Sequence, residues 1–338
     1  MRQMAWEAEM SLEDGVACWN LSGPSGTRCR VLPGHGSQLS SLRLIPGSGQ
    51  AAVEVLEDLP PPRLAQSGWQ HGTPVLFPFP GRLRDGRYRY LDEAFRITGP
   101  GRHPMHGLVG LAPWRVVDAG ADAEGAWLDT VVTHAELHLP DDAFPGHYEV
   151  RLVHRLDAGG YRHEVTVRNV GAHPFPFGYG WHPHFRIPLG EFGSRGDCTL
   201  ELAAQARWEL TAELLPTGRR LAAVGPYDLR TPNQLADKTY DDPFTLLERD
   251  AQGGSRAVLA DPVNARRLEV WAGPGFEHWV VYAPRKAATI AIEPYTCIPD
   301  AFNLEPKGIG TGLLHLAPGA EWRGLATVGL GCLAWNGG

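Results

Sequence analysis

Short stretches of alternating apolar and polar residues recur along the chain, and they restrict its fold more than any other feature. Clear examples are "HYEVRLVHRLD" at 147–157, "YRHEVTVRNV" at 161–170 and "RRLEVWAG" at 266–273. A period of two residues is typical of a strand with one buried face, and Gly, Pro, Asn or Asp bound each stretch. The best helical candidate, 234–250, is interrupted by Pro243. The pattern predicts a mostly antiparallel β-protein with two packed sheets or a large sandwich.

Glycine and proline support the same interpretation. The 338 residues include 41 Gly and 29 Pro, which in so apolar a chain indicates frequent turns between short strands. The stretch "LPPPRL" at 59–64 predicts a rigid bend that is too short to separate domains. No repeat of about 20 to 50 residues is visible, which argues against a propeller. We therefore predict a single domain over residues 1–338.

Charge and cysteine content exclude several classes of protein. The net charge is −7 without a basic stripe, which argues against nucleic acid as a partner. No apolar run approaches the length of a membrane span, and "MRQMAWEAEMSLEDG" has acidic residues where a signal peptide needs an apolar core. The five cysteines are scattered without a CxxC pair, so neither a disulfide framework nor a zinc site is indicated. We expect a reduced, cytoplasmic protein.

Four stretches place chemically active side chains where the strand pattern does not explain them. They are "FPFPGRLRDGRYRY" with Arg82, "RHPMHGLVG" with His103 and His106, "FGYGWHPHFRIP" with His182 and His184, and "IAIEPYTCIPDAFN" with Glu293. Taken singly, each has an ordinary explanation: a paired or solvated strand-end carboxylate, loop histidines, and a solvated arginine face at Arg84, Arg87 and Arg89.

Two of these stretches already suggest reactive groups. Glu293 follows the apolar run "ATIAI", where partial burial would raise its pKa. His182 and His184 flank Pro183, so on an extended segment they share one face. Such an HxH pair followed by a distant Glu also fits a metal-binding pattern in β-barrels, which leaves a metal-dependent enzyme using His182, His184 and Glu293 open.

In their order along the chain, these stretches resemble the aldose 1-epimerase (galactose mutarotase) family. The set comprises "PVLFPFPGRLRDGRY", "MHGLVGLAPWRV", "GWHPHF", "LPTG" at 215–218, "YDDPF" at 240–244 and "IEPYTCIPDAFN", within about residues 37 to 325. The resemblance implies a large antiparallel β-supersandwich with a sugar bound in an open cleft on one sheet. It also implies an isomerase that interconverts the α and β anomers of an aldohexose without metal or cofactor, as a monomer or homodimer.

Two catalytic residues follow from the resemblance. It implies that Glu293 is the general base for the C1 hydroxyl and that His182 is the general acid for the ring oxygen. Such positioned groups contribute on the order of 10²–10⁴ in rate when their pKa values lie near the working pH. We expect the nearby carboxylates of Glu293 and Asp241 to keep His182 protonated.

The resemblance also implies the residues that bind the sugar. Arg82 and Asp241 would hold hydroxyls, and His106 would lie beside the sugar ring. Gly81 would let the chain turn so that the Arg82 guanidinium, which can bind two neighbouring hydroxyls, faces the cleft. His184 stands where the family usually has Tyr, so the phenol's contribution to binding is lost, replaced or reassigned.

Other functions on the same fold remain open. A hexose-6-phosphate epimerase would need further arginines near the far end of the sugar, and Arg84, Arg87 and Arg102 are available. A non-catalytic carbohydrate-binding protein could keep the cleft. The loop "PGRLRDG" also lacks the Asn of typical galactose mutarotases, so the preferred aldose is not fixed.

Overall fold

Strands dominate the computed structural model, which describes residues 5–333. The strands, numbered along the chain, are β1 Glu7–Glu13, β2 Val16–Ser22, β3 Arg28–Leu32, β4 Gln38–Leu44, β5 Val53–Glu54, β6 Val75–Leu76, β7 Arg87–Tyr90, β8 Glu93–Arg96, β9 Arg115–Ala121, β10 Gly125–Thr133, β11 Tyr148–Asp157, β12 Gly160–Asn169, β13 Phe175–Phe177, β14 Gly180–Trp181, β15 His184–Arg186, β16 Thr199–Leu202, β17 Ala204–Leu210, β18 Pro216–Ala222, β19 Asn233–Gln234, β20 Tyr240–Leu247, β21 Ser255–Asp261, β22 Arg266–Ala272, β23 His278–Ala283, β24 Thr289–Tyr295, β25 Leu314–Leu316 and β26 Glu321–Cys332. The predicted all-β class is confirmed.

The helices of the described residues are short. The α-helices are α1 Pro61–Gln66 and α2 Ala301–Leu304, and the 3-10 helices are Pro24–Gly26, Arg84–Gly86, His134–Leu137, Arg195–Asp197, Gly225–Tyr227 and Glu305–Lys307. Within residues 5–333, no helix is long and apolar enough to cross a bilayer. The last part of the stretch "CLAWNGG", for which the sequence predicts no element, lies outside the described residues.

Three antiparallel sheets organise these strands. One has nine strands in the order β19-β16-β21-β22-β26-β12-β11-β10-β9. A second has eight, in the order β18-β17-β20-β23-β24-β14-β6, with β15 paired to β24. The third has the order β1-β2-β3-β4-β5, and two small ladders pair β13 with β25 and β7 with β8.

The nine-stranded sheet shows the alternation that the sequence predicts. Along β11 the buried residues Tyr148, Val150 and Leu152 alternate with residues open to solvent, and β12 follows the same pattern. The buried residues of this sheet join those of the other sheets in one hydrophobic cluster that extends from Leu21 to Val328. Such continuity is what one domain requires, and the single domain over 1–338 stays a prediction.

The eight-stranded sheet is buried on both faces at its centre. In β24, Ile290 and Ile292 belong to the hydrophobic core, whereas Thr289, Glu293 and Tyr295 face a cleft on the opposite side. This explains why "ATIAIEP" is nearly continuously apolar. It also corrects the expected position of Glu293, which lies within the strand because the ladder continues to Tyr295.

Two local expectations change in the structure. The helical candidate 234–250 contains the strand β20 in place of a helix, and its Pro243 pairs with Val280 of β23. The "LPPPRL" bend is the start of α1, with Pro61 at the first helical position, where a missing N–H costs nothing. Neither change introduces a domain boundary.

Candidate active site

One cleft of about 600 Å³ lies over the centre of the eight-stranded sheet. All six residues that the sequence predicts for the site line it: Arg82, His106, His182, His184, Asp241 and Glu293. The first and the last of them, Arg82 and Glu293, are more than 200 residues apart in sequence, and the fold brings all six together. A volume of this size is typical of small-molecule sites.

Strand register sets the spacing of the cleft floor. Asp241 of β20 is opposite Tyr282 of β23, Tyr282 is opposite Ala291 of β24, and Ala291 is opposite His184 of β15. Neighbouring strands are about 4.8 Å apart, so Asp241 and His184 are held about 14 Å apart along this row. The next row on the same face of the sheet, two residues further along β24, contains Glu293. The floor can therefore place polar groups on both sides of one small molecule.

His182 and Glu293 form the most buried polar contact in the cleft. The Nε2 atom of His182 lies 3.3 Å from Oε1 of Glu293, and their side chains are 7% and 1% exposed. Glu293 is carried by β24, while His182 directly follows β14, whose Gly180 pairs with Tyr295 of β24. The carboxyl and the imidazole are thus close enough to exchange a proton.

The environment favours the uncharged form of both groups. Burial raises the pKa of Glu293 well above its ordinary value, a hydrogen bond from Tyr295 opposes this, and Asp241 adds to it. Burial, followed by the neighbouring imidazoles of His184 and His106, lowers the pKa of His182 well below its ordinary value. The expectation that His182 is kept protonated is therefore wrong for the free protein, because burial outweighs the nearby carboxylates.

The other two cleft histidines pack against His182. The rings of His182 and His184 are stacked with centroids 4.5 Å apart, and His106 meets His182 edge-on at 5.3 Å. Nε2 of His184 donates to the backbone carbonyl of Trp69 at 3.2 Å. Burial lowers the pKa of His184 to about 4, so the imidazole is neutral at neutral pH. His184 is thus fixed by stacking and by one hydrogen bond.

His106 is held as a neutral hydrogen-bond donor. Its Nδ1 atom accepts from the backbone N–H of Gly81 at 3.3 Å, which leaves the proton on Nε2. Withdrawal from water, then Arg82 and His184, lower the pKa of His106 to about 3. The ring also lies 5.2 Å from that of Trp69.

Arg82 reaches the cleft as the sequence predicts. Gly81 has φ +67°, and a Cβ there would lie 2.4 Å from Cγ of Pro299, so only glycine fits this turn. Within the described residues the Arg82 guanidinium forms no ion pair, and Nη1 contacts Sδ of Met105 at 3.7 Å. Its other N–H donors make no hydrogen bond within the described residues, so they are open to a ligand.

Asp241 is the acceptor that faces Arg82 across the cleft. Burial raises its pKa, Arg82 opposes this, and the neighbouring Asp242 adds to it. Asp242 points elsewhere and pairs with Arg207 at 3.1 Å. Of the two carboxylates in "YDDPF", the sequence therefore identifies the one that lines the cleft.

Several polar residues singled out in the sequence lie outside the cleft. Arg84, Arg87 and Arg102 line a separate groove with Arg96 and Lys307. Arg84 pairs there with the buried Asp300 at 3.3 Å. His103 also lies elsewhere, where Nδ1 accepts from the backbone N–H of Asp85 at 2.9 Å. The arginines that a phosphorylated sugar would need are thus absent from the lining of this cleft as the described residues form it.

Further cleft residues were not predicted from the sequence. Tyr295, Tyr282, Trp69 and His71 all line it. Tyr295 could have been found, because a strand residue two positions after Glu293 faces the same side. Trp69 and His71 lie in the loop "GWQHG", which has no pattern that points to a site.

The metal-dependent alternative gains no geometric support. Across residues 5–333, no group of three or more His, Cys, Asp or Glu side chains is arranged to hold a metal ion. His182 and His184 stack face to face, and Nε2 of His184 is engaged by the carbonyl of Trp69. Each of the five cysteines has a free thiol.

Comparisons with known proteins agree with this fold. A family model described as aldose 1-epimerase matches residues 18–327. The Escherichia coli K12 protein "Uncharacterized protein YihR" is 26% identical over 262 residues, which cover 75% of this chain and 77% of that protein. A galactose mutarotase-like protein from Clostridium acetobutylicum superposes with a TM-score of 0.87 at 20% identity, covering 98% of this chain and all of the other. A galactose 1-epimerase from Lactobacillus acidophilus superposes with 0.74 at 18% identity, covering 97% and 100%.

Proposed function

Because the chain belongs to the aldose 1-epimerase family, we propose that it interconverts the α and β anomers of an unphosphorylated aldose by acid–base opening and reclosure of the ring. The observation that carries this proposal is the contact of 3.3 Å between Nε2 of His182 and Oε1 of Glu293 in a sugar-sized cleft. The reaction requires one group that takes a proton from the sugar and one that gives a proton to it.

Ring opening needs two proton transfers. The Glu293 carboxylate removes the proton of the C1 hydroxyl while protonated His182 gives its proton to the ring oxygen. The C1–O5 bond breaks with its electron pair going to O5, and C1 becomes an aldehyde carbon. Rotation about the C1–C2 bond then presents the other carbonyl face, and reclosure reverses both transfers. Each turnover leaves the protein unchanged.

The proton that the reaction requires lies on either Glu293 or His182. In the free protein, burial favours protonated Glu293 with neutral His182, which is the state from which reclosure begins. Ring opening begins when that proton has crossed from Oε1 to Nε2. Both forms hold the same number of protons, so no exchange with solvent is needed between the half-reactions.

Free hydrogen-bonding groups in the cleft suit a neutral, hydroxyl-rich ligand. Arg82 offers donors, Asp241 offers acceptors, and His106 offers one donor beside the pair. Arg82 can hold two neighbouring hydroxyls in its fork. We assign these three side chains to sugar binding and His184 to support of His182 through ring stacking.

An unphosphorylated sugar fits the charges of the cleft. Of the described residues that line it, Arg82 is the one Lys or Arg, and the carboxylates of Asp241 and Glu293 are close by. A phosphate dianion would meet a single cation, with the carboxylate of Asp241 nearby, which is unfavourable in a partly desolvated site. The lining therefore supports an aldose over its 6-phosphate.

Polarimetry tests the proposal. Freshly dissolved α-D-glucose and α-D-galactose are followed with wild type, with Glu293→Gln, and with Glu248→Gln as the control, because Glu248 is exposed and lies outside the cleft. We expect acceleration that is lost in Glu293→Gln and kept in Glu248→Gln. Equal rates in all three proteins, together with sugar binding in calorimetry, would replace the enzyme by a carbohydrate-binding protein. Acceleration of glucose 6-phosphate alone would overturn the unphosphorylated class.

A further inference from the structure

Tyr295 makes the shortest described hydrogen bond of the catalytic pair. Its hydroxyl donates to Oε2 of Glu293 at 2.6 Å, and both side chains are about 1% exposed. The two residues lie two positions apart on β24 and face the same cleft. We propose, resting on the function above, that Tyr295 is a positioning residue that holds Oε2 and leaves Oε1 as the atom that exchanges protons with His182 and the sugar.

The tyrosine ring is fixed by the sheet. Tyr295 pairs with Gly180 on one side and with His278 on the other. A Cβ at position 180 would lie 2.8 Å from Cδ1 of Tyr295, so glycine leaves the space that the ring occupies. The phenol cannot follow a moving carboxyl group, and it therefore determines where the carboxyl group points.

The two carboxyl oxygens of Glu293 consequently have different tasks. Oε2 is occupied by the Tyr295 hydroxyl, whereas Oε1 lies 3.3 Å from Nε2 of His182. Rotation of the carboxyl group would exchange the oxygens but break the hydrogen bond of 2.6 Å. Proton transfer thus uses one defined oxygen, as a reaction with two simultaneous transfers requires.

Tyr295 also acts on the proton affinity of Glu293. Its hydrogen bond favours the carboxylate and opposes the burial that raises the pKa of Glu293. Burial and the nearby carboxylate raise the pKa of Tyr295 itself well above its ordinary value, so the phenol stays protonated and remains the donor. Removing the hydroxyl would leave burial unopposed and bind the Glu293 proton more tightly.

The substitution Tyr295→Phe tests this role, with Tyr282→Phe as its matched control. Tyr282 lines the same cleft on the adjacent strand β23, and its hydroxyl makes no hydrogen bond to Glu293 in the described structure. Mutarotation is measured across pH for both variants and wild type. In Tyr295→Phe we expect the alkaline limb of kcat/KM to move up by about one pH unit, because a hydrogen bond to a charged group is lost. The acid limb, which reports His182, stays in place.

An infrared titration provides a readout that does not need catalysis. The carbonyl stretch of protonated Glu293 is isolated as the difference from Glu293→Gln, and its midpoint is expected to rise in Tyr295→Phe but to stay in Tyr282→Phe. A raised midpoint without any mutarotation would contradict the proposed function and keep the role of Tyr295. Mutarotation in wild type with neither midpoint nor alkaline limb changed in Tyr295→Phe would overturn that role.

If Tyr295→Phe does not fold, a fluorinated tyrosine at position 295 tests the same role of the hydroxyl group. With 3-fluorotyrosine at position 295 the ring keeps almost the same shape, while the more acidic hydroxyl donates a stronger hydrogen bond. We expect the infrared midpoint to move down, opposite to its direction in Tyr295→Phe. A packing role alone predicts no movement, so an unchanged midpoint would contradict the proposal.

Discussion

Two pairs of a histidine and a glutamate each place their histidine in the lining of the cleft, and they differ in their contact with water. In the inner pair the side chains of His182 and Glu293 are 7% and 1% exposed. In the outer pair His71 Nδ1 contacts Oε2 of Glu57, and these side chains are 26% and 25% exposed. The ring of His184 separates the pairs, with centroids 4.5 Å from His182 and 6.3 Å from His71.

The comparison shows that residue type alone does not make an acid–base pair. Burial raises the proton affinity of Glu293 and lowers that of His182, so in the free protein the proton that they share stays on Glu293. The outer pair is in contact with water, and such partly exposed pairs typically contribute about 0–1 kcal/mol. Of the outer pair, His71 lines the cleft, and Glu57, which is not a lining residue, contacts it.

The largest difference between the pairs is expected from removing the inner carboxyl group. Glu293→Gln should lower kcat about 10⁴-fold, because both half-reactions need Glu293 to take or give a proton. Sugar affinity measured by calorimetry should remain within a few fold. A Glu293→Gln variant with nearly full activity would remove the distinction between inner and outer pair.

Removing the inner imidazole should have the next largest effect. His182→Asn is expected to lower kcat about 10²-fold. Water would then protonate the ring oxygen, and it does so less efficiently than a positioned imidazole. In the double variant with Glu293→Gln the losses should not multiply, because the two groups act as one unit. Fully multiplicative losses in steady-state kinetics would show that the groups act independently.

The pH profile of the wild type should report the inner pair alone. Activity requires one shared proton, so it falls when the pair gains a second proton and when it loses the first. Since burial lowers the pKa of His182 and raises that of Glu293, the acid limb is expected below the ordinary histidine range and the alkaline limb above the ordinary glutamate range. A profile that is the same in Glu293→Gln would contradict this assignment.

Stability should reveal the cost of the buried carboxyl group. The pKa of Glu293 is raised in the folded state, so the folded protein keeps a proton that the unfolded chain loses at lower pH. The stability that this proton provides is lost as the pH rises toward the pKa of the folded state. Glu293 by itself should lower the free energy of unfolding by about 1.4 kcal/mol per pH unit in that window, which is read as the difference between wild type and Glu293→Gln. Glu293→Gln should lack this slope in urea titrations at several pH values. Parallel curves for the two proteins would contradict the raised pKa.

The smallest effect is expected at the outer pair. Glu57→Gln should change kcat less than about threefold and KM less than about tenfold, with little change in the free energy of unfolding. Steady-state kinetics at low and high salt checks this, because screening weakens exposed pairs. A loss as large as that of His182→Asn would mean that both pairs take part in catalysis.

The sequence predicted the components of the site better than their electrostatic state. The HxH spacing places His182 and His184 on one face, and the ordered motifs bring Arg82 and Glu293 to the same cleft. The neutral state of His182 could not be predicted from the sequence, because it depends on how completely the folded sheet excludes water from the imidazole. The sequence contains the neighbouring carboxylates but not the burial that outweighs them.

The contacts and positions that the sequence did not predict were missed for physical reasons as well. Glu57 and His71 lie in irregular segments before and after α1, where no periodicity indicates which side chains approach each other. Arg84 shares a motif with Arg82, yet Arg82 lines the cleft whereas Arg84 lines the separate groove. By contrast, Tyr295 follows from strand alternation once Glu293 is assigned.

The division of the cleft between strands and loops has a consequence for changing the preferred sugar. Glu293 is carried by a central strand, whereas Trp69, Arg82 and His106 lie on loops above the sheet. Loops tolerate substitution and length changes that would disrupt a buried ladder. Under the proposed function, a library restricted to 69–71 and 105–106 should therefore sample new substrate preferences while the residues proposed for proton transfer stay constant, so that recognition and chemistry can evolve on separate parts of the chain.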